Sequence, residues 1–162
     1  MTFPRIDIDD GDVVEALNRL LALGEDLSPA LSAVGRVLKA RIQEGFQSGT
    51  DPYGLPWAPL KFRSGQPLLD RGHLMASVDY QVERDSVEIG TNRAYAPVHQ
   101  FGATIEARGR ALRFFVEGRP VFVKRVTVPA RPMFPLEGLP EDWETDALEA
   151  IGEVVRDTWS GG

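Results

Sequence analysis

Cysteine is absent from these 162 residues, and histidine occurs only twice. Without cysteine there is no disulfide, no thiolate nucleophile and no cysteine metal site. His73 and His99 stand 26 positions apart, with no His-x-x-x-His spacing, which is too sparse for a set of convergent metal ligands. No apolar run approaches the roughly 18 residues of a membrane span. The first residues, Met-Thr-Phe-Pro-Arg-Ile-Asp, lack the basic region and apolar stretch of a signal peptide, so the chain is expected to be made and used in a cytoplasm. There is no Gly-x-Ser-x-Gly elbow and no phosphate-binding glycine loop. Ser48-Gly49-Thr50 and Ser64-Gly65 lack the flanking strand and helix that phosphate binding needs.

Charge is present and unevenly spread. The net charge is −6, which argues against a general nucleic-acid binder. Between Thr104 and Arg131, however, seven basic residues (Arg108, Arg110, Arg113, Arg119, Lys124, Arg125 and Arg131) face only Glu106 and Glu117, a local charge of +5. The remainder is therefore −11, concentrated in Asp7, Asp9, Asp10, Asp12 and Glu15 and again from Glu137 to Asp157. A basic segment between acidic flanks suits association with copies of the same chain.

Periodicity predicts an α+β fold: an antiparallel sheet of hairpins packed against two to three helices, with a long proline-rich loop and a protruding basic hairpin. One domain is expected over residues 1–162, with a helical part at 1–47, a loop and sheet core at 48–136 and a last helix within 137–162. A first helix is expected over Asp12–Leu23, with Asp12 and Glu15 as a capping box and Gly24 as its stop. Ser28-Pro29 opens a second helix, Ser28 at the cap, in which Leu31, Val34, Leu38, Ile42 and Phe46 form one stripe. A short helix is expected over Leu69–Met75, with Asp70 as its cap. Val78, Tyr80 and Val82 alternate with polar residues as a strand, Asp85-Ser86 turns, and Val87 and Ile89 return. Ala111–Val116 and Val121–Val128 form a second hairpin around Glu117–Pro120. Leu112, Phe114 and Val116 lie on one face of it, with Arg113 and Phe115 on the other. The last helix, about Glu141 to Thr158, buries Leu148, Ile151, Val155 and Trp159.

The most distinctive stretch is Asp51-Pro52-Tyr53-Gly54-Leu55-Pro56-Trp57-Ala58-Pro59-Leu60. Its prolines exclude a helix and a central strand. Its aromatics predict an ordered extended loop pinned by ring packing, a kind of loop that serves binding or assembly. Three further blocks follow: Pro67-Leu68-Leu69-Asp70-x-Gly72-x-Leu74-x-x-Ser77, Tyr95-Ala96-x-x-His99-Gln100-Phe101-Gly102, and Pro129-Ala130-Arg131-Pro132-Met133-Phe134. In this order the four blocks resemble the signature of the phage virion morphogenesis (tail completion) family of Mu-like and related tailed phages. Met75 and Pro135 depart from the family's pattern. The resemblance implies a structural subunit, not an enzyme, that completes the tail or joins it to the head at the neck. It implies a virion protein assembled in the host cytoplasm as a ring, sixfold by the resemblance, against the tail tube or terminator and the head connector. DNA would be met only in the ring lumen, and neither a cofactor, a small-molecule substrate nor a membrane is implied.

Other chemistries have candidates. His99 is the best proton shuttle, four residues after Tyr95, although a structural histidine bonded to backbone is the simpler reading. Asp51 and Asp70 are conceivable as a carboxylate pair, against a turn at Asp51 and a helix cap at Asp70. A small hydrolase acting on cell wall or nucleic acid would need a pocket joining His99 to a carboxylate. A nucleic-acid adaptor would use the arginines and aromatics of the hairpin. Subunit contact ranks first for Arg108, Arg110, Arg113, Phe115, Arg119, Lys124 and Arg125, ahead of a solvated hairpin and of nucleic acid.

Overall fold

The computed structural model describes residues 11–22 and 24–160, apart from the side chain of Trp159. The expected acidic residues Asp7, Asp9 and Asp10, the end of the first helix at Leu23 and the ring of Trp159 lie outside the described residues. Five helices and six strands follow one another in the described chain: α1 (Gly11–Ala22), α2 (Ser28–Ser48), α3 (His73–Ala76), β1 (Val78–Val82), β2 (Val87–Thr91), α4 (Ala96–Phe101), β3 (Ala103–Glu106), β4 (Leu112–Val116), β5 (Arg119–Val123), β6 (Arg125–Val128) and α5 (Glu141–Ser160). The class is α+β, as expected.

Helix α2 is the axis of the body. All five residues of its predicted stripe are buried, Phe46 completely. One side of α2 packs along α5, and another carries the β1–β2 hairpin. The hairpin approaches so closely that position 35 must be glycine: a Cβ there would lie 2.3 Å from Tyr80 Cδ2. The Tyr80 hydroxyl lies 3.3 Å from Ser32 Oγ, one turn back. Arg41 ties α2 to α5 by ion pairs with Asp146 at 2.5 Å and Asp142 at 3.3 Å. From α5 the core receives Trp143, Ala147 and Ile151, while Leu148 and Val155 pack at its margin. The core-facing stripe is thus set one turn nearer the helix start than expected, because Trp143 anchors it.

Three caps differ from expectation. Ser28 is already helical and makes no capping bond; Leu27 holds the cap position, and the Ser28 N–H donates to Asp26 Oδ1 at 3.0 Å. Helix α3 begins after Gly72, in the left-handed conformation at φ 71°, so Asp70 does not cap it. Asp12 lies within the first turn of α1, one residue past its start, and so favours the positive end of that helix without being its cap.

The strands form three separate antiparallel pairs, β1–β2, β3–β6 and β4–β5. The predicted second hairpin therefore resolves into more than two strands. Its turn is Glu117-Gly118 alone, with φ of 50° and 77°, the two-residue turn whose twist matches a hairpin. The long return strand breaks at Lys124. Its first part pairs with β4 and its second with β3, a four-residue strand that was not expected. β3–β6 is the stem and β4–β5 the distal part of one two-stranded arm. An Ala107 N–H to Lys124 carbonyl bond of 2.9 Å joins the two parts. Ten residues from Arg119 to Val128 give this arm a length of roughly 30 Å.

Candidate assembly interface

Three of the four sequence blocks are bonded together in one fastening at the foot of the arm, and the second packs into the same core through Leu74. Asp51 closes the loop locally: its Oδ1 accepts the N–H groups of Tyr53 and Leu55 at 2.9 and 2.8 Å, and its carbonyl accepts the Gly54 N–H at 3.0 Å. Pro52 is buried beneath that turn. The Trp57 ring meets Phe46 edge-on, with centroids 5.6 Å apart, and its Nε1–H donates to the Pro132 carbonyl at 2.8 Å. Arg131 reaches back, donating from Nε to the Ala58 carbonyl at 2.8 Å and from Nη2 to the Pro59 carbonyl at 3.1 Å. The buried Arg131 side chain has no carboxylate within ion-pair distance among the described residues, so carbonyl dipoles alone hold its charge. Gln100, 1% exposed, donates to the Phe134 carbonyl and accepts the N–H groups of Met133 and Phe134, all within 3.1 Å. The Gln100 amide thereby has partners at both its oxygen and its nitrogen, as a buried amide requires.

The remaining motif residues serve the same frame. Leu74 and Ala96 are in the core, and Leu69 packs against it. Ser77 Oγ donates to the Leu74 carbonyl and lies 2.5 Å from Thr91 Oγ1. Gly102 leads into the arm where a Cβ would meet Ala130 N at 2.9 Å. Leu60 is half-buried, while Tyr95, Phe101 and Pro59 face outward. The Asp51–Leu60 loop is thus fastened within the single chain, as its aromatics predicted, with no neighbour needed to order it. Asp51 is a turn former and takes no part in a carboxylate pair.

One groove of about 330 Å³ collects the candidates for proton chemistry. It is lined by Asp70, His73, Tyr95 and His99, together with Arg63 and Arg71. Tyr95 meets the His99 ring edge-on at 6.0 Å. His99 Nδ1 is buried without a hydrogen-bond partner, contrary to the expected backbone bond, whereas the His99 carbonyl accepts the Arg131 N–H at 2.6 Å. Burial, and secondarily the nearby charge of Arg131, hold the His99 pKa below its ordinary value near 6.5. No hydrogen bond orients His99 toward Asp70, and among the described residues no cluster of histidine and carboxylates suits a metal ion.

The arm contrasts with this frame. No residue between Ala103 and Val128 belongs to the buried core. Its inner face, Leu112, Phe114 and Val116, is half-buried, and Phe62 of the preceding loop lies 6.4 Å from Phe114. Its outer face is open: Phe115 and Phe122 are 62% and 63% exposed. Arg113 is paired with Phe122 across the strands and sits 5.5 Å over the Phe115 ring, and Pro120 is paired with Phe115. Arg125 bonds Glu106 at 3.1 Å within the stem. Arg108, Arg110, Arg119 and Lys124 are exposed and make no ion pair among the described residues. The basic residues of the expected contact therefore lie together on the arm. Arg131, counted with them by charge, belongs to the buried fastening.

The phage virion morphogenesis family matches residues 8–157 of this chain. The chain is 32% identical over 145 residues to the Mu-like prophage FluMu G protein 2 of Haemophilus influenzae, covering 90% of each protein. No solved structure matches it. The chain belongs to the phage virion morphogenesis family. Among its described residues no helix is long and apolar enough to cross a membrane.

Proposed function

We propose that this member of the phage virion morphogenesis family is a tail-completion or head–tail joining subunit, built into a ring at the end of the tail. The observation that carries this reading is the arm. It exposes two phenylalanines and a set of unpaired basic side chains, and it adds nothing to its own core. A two-stranded ribbon is marginal by itself in water, and open aromatic rings on it gain most by burial against protein. The rest of the chain is acidic, so an arm laid on a neighbouring copy meets opposite charge. The donor surface and the acceptor surface then differ, and such a heterologous contact closes into a ring when its rotation permits. A sixfold ring between tail tube and head connector, with DNA passing only through its lumen, is the arrangement we favour. The role is structural, and His99 belongs to the frame that holds the arm's foot.

Disruption of the gene in a producing phage or prophage tests the reading by electron microscopy of the lysate. Full heads beside detached tails, or tails of irregular length, are expected. Joined, intact virions would remove the tail-completion role.

A further inference from the structure

Resting on the reading of the arm as a subunit contact, we infer that its acceptor is the groove between α2 and α5 of a second copy of this chain. The groove has a volume of about 280 Å³. It is lined by the apolar side chains of Val37, Ala40 and Ala150, by the carboxylates of Glu44, Asp146, Glu149 and Glu153, and by Arg41. Asp146 is already paired with Arg41. Glu149 and Glu153 are exposed and make no ion pair among the described residues. The groove thus combines small apolar side chains with two carboxylates that make no ion pair, Arg41 being engaged by Asp146, Asp142 and Glu44.

The outer face of the arm supplies the complement. Phe115 and Phe122 are the large exposed rings, and Arg113 on the same face and Lys124 beyond it lack carboxylates. Lengths agree as well. The acidic side of α5 from Glu141 to Glu153 rises roughly 18 Å, and the five residues of each distal strand span roughly 16 Å. At one end the groove continues into a second one of about 450 Å³, where Glu44, Asp51, Glu141 and Asp142 surround Trp143 and Met133. The acidic track therefore extends beyond the distal hairpin toward the fastening, where Arg119 at the turn would find further carboxylates.

The absence of native cysteine makes the contact testable by disulfide trapping. Pro120→Cys on the arm and Ala150→Cys in the groove, in one full-length chain, leave the proposed rings and charges in place. Phage particles assembled with that chain are oxidised and run under denaturing, non-reducing conditions. A ladder of covalent oligomers ending at the ring size is expected, with neither single-cysteine chain giving more than a dimer. Particles that contain the chain but give no ladder overturn the groove as acceptor and leave the subunit-contact reading standing. Particles that never contain the wild-type chain overturn that reading and the groove together. If the cysteine pair itself blocks incorporation, charge exchange reads the same contact. Glu149→Lys with Glu153→Lys lowers incorporation by roughly tenfold or more, and adding Arg113→Glu with Lys124→Glu to that chain restores it. Failure to restore, with each variant folded by circular dichroism, overturns the groove.

Discussion

The fastening and the arm use the same residue types to opposite ends. Trp57 and Phe46 are buried edge to face, whereas Phe115 and Phe122 stand open to solvent. Arg131 is sunk among carbonyl oxygens, while Arg113 lies over a ring of its own exposed hairpin. The difference lies in what each segment reaches within the chain. Residues 51–60 meet residues 129–134, some 75 positions away, and both rest on α2. Residues 112–123 pair with each other and contribute nothing to the buried core, and Phe62 of the preceding loop lies against Phe114. An aromatic and arginine-rich segment is thus a frame part when the chain supplies a distant partner, and an interface when it does not.

The strongest way to break this comparison is to remove a ring from the frame. Trp57→Ala deletes the contact with Phe46, leaves a cavity and orphans the Pro132 carbonyl. A loss of about 3–5 kcal/mol is expected, a large share of the stability of a domain held by about 5–15 kcal/mol. Urea unfolding followed by circular dichroism checks it. A midpoint close to that of the wild type would mean that the four blocks do not form the frame described.

How much of this was legible in the sequence follows the range of the contacts. The stripe of α2 and the β1–β2 hairpin were readable because their periodicity is local. The pinned loop was readable because prolines and aromatics in ten residues admit few other structures. The fastening itself was not. Gln100 is one letter of a block until Met133 and Phe134 arrive at its amide, and no spacing rule specifies that meeting. Strand β3 is only four residues, too short for its Ala-Thr-Ile-Glu alternation to stand out, and its partner starts 22 residues after it begins. The cap of α2 falls on Leu27 rather than Ser28 because Asp26 Oδ1 takes the Ser28 N–H from outside the helix, a bond set by the path of the loop. The split of the arm at Lys124 depends on which strand lies opposite, and Ala107 decides that.

A smaller effect probes the frame from its polar side. His99 has a lowered pKa in the fold, so the unfolded chain binds a proton more readily than the folded one. The unfolded state then holds more protons as pH falls through the ordinary histidine value, and stability declines in that direction. The contribution is fully present above about pH 6.5 and is lost as pH drops toward and below the folded value. His99→Gln is expected to flatten the dependence of the unfolding midpoint on pH across this range. In His73→Gln, where His99 is intact, the slope should persist. An unchanged slope in the His99 variant would show that its burial beside Arg131 does not couple protonation to folding.

The smallest effect on stability is expected where the sequence looks most hydrophobic for its place. Phe115→Ser with Phe122→Ser removes two large rings, yet neither touches the core. The unfolding free energy should change by no more than about 0.5 kcal/mol, the usual range for surface changes. Incorporation into particles should nevertheless fall sharply, because those rings are the apolar part of the proposed contact and the basic residues alone give a salt-screened attraction. The two readouts separate the regions. The frame variant loses assembly because it loses the fold, and the arm variant loses assembly while the fold stays. Were the double serine chain to unfold like the Trp57 variant, the arm would be part of the core. Were it to assemble like the wild type, the exposed rings would be incidental, and the charges on the same face would have to hold the subunits together unaided.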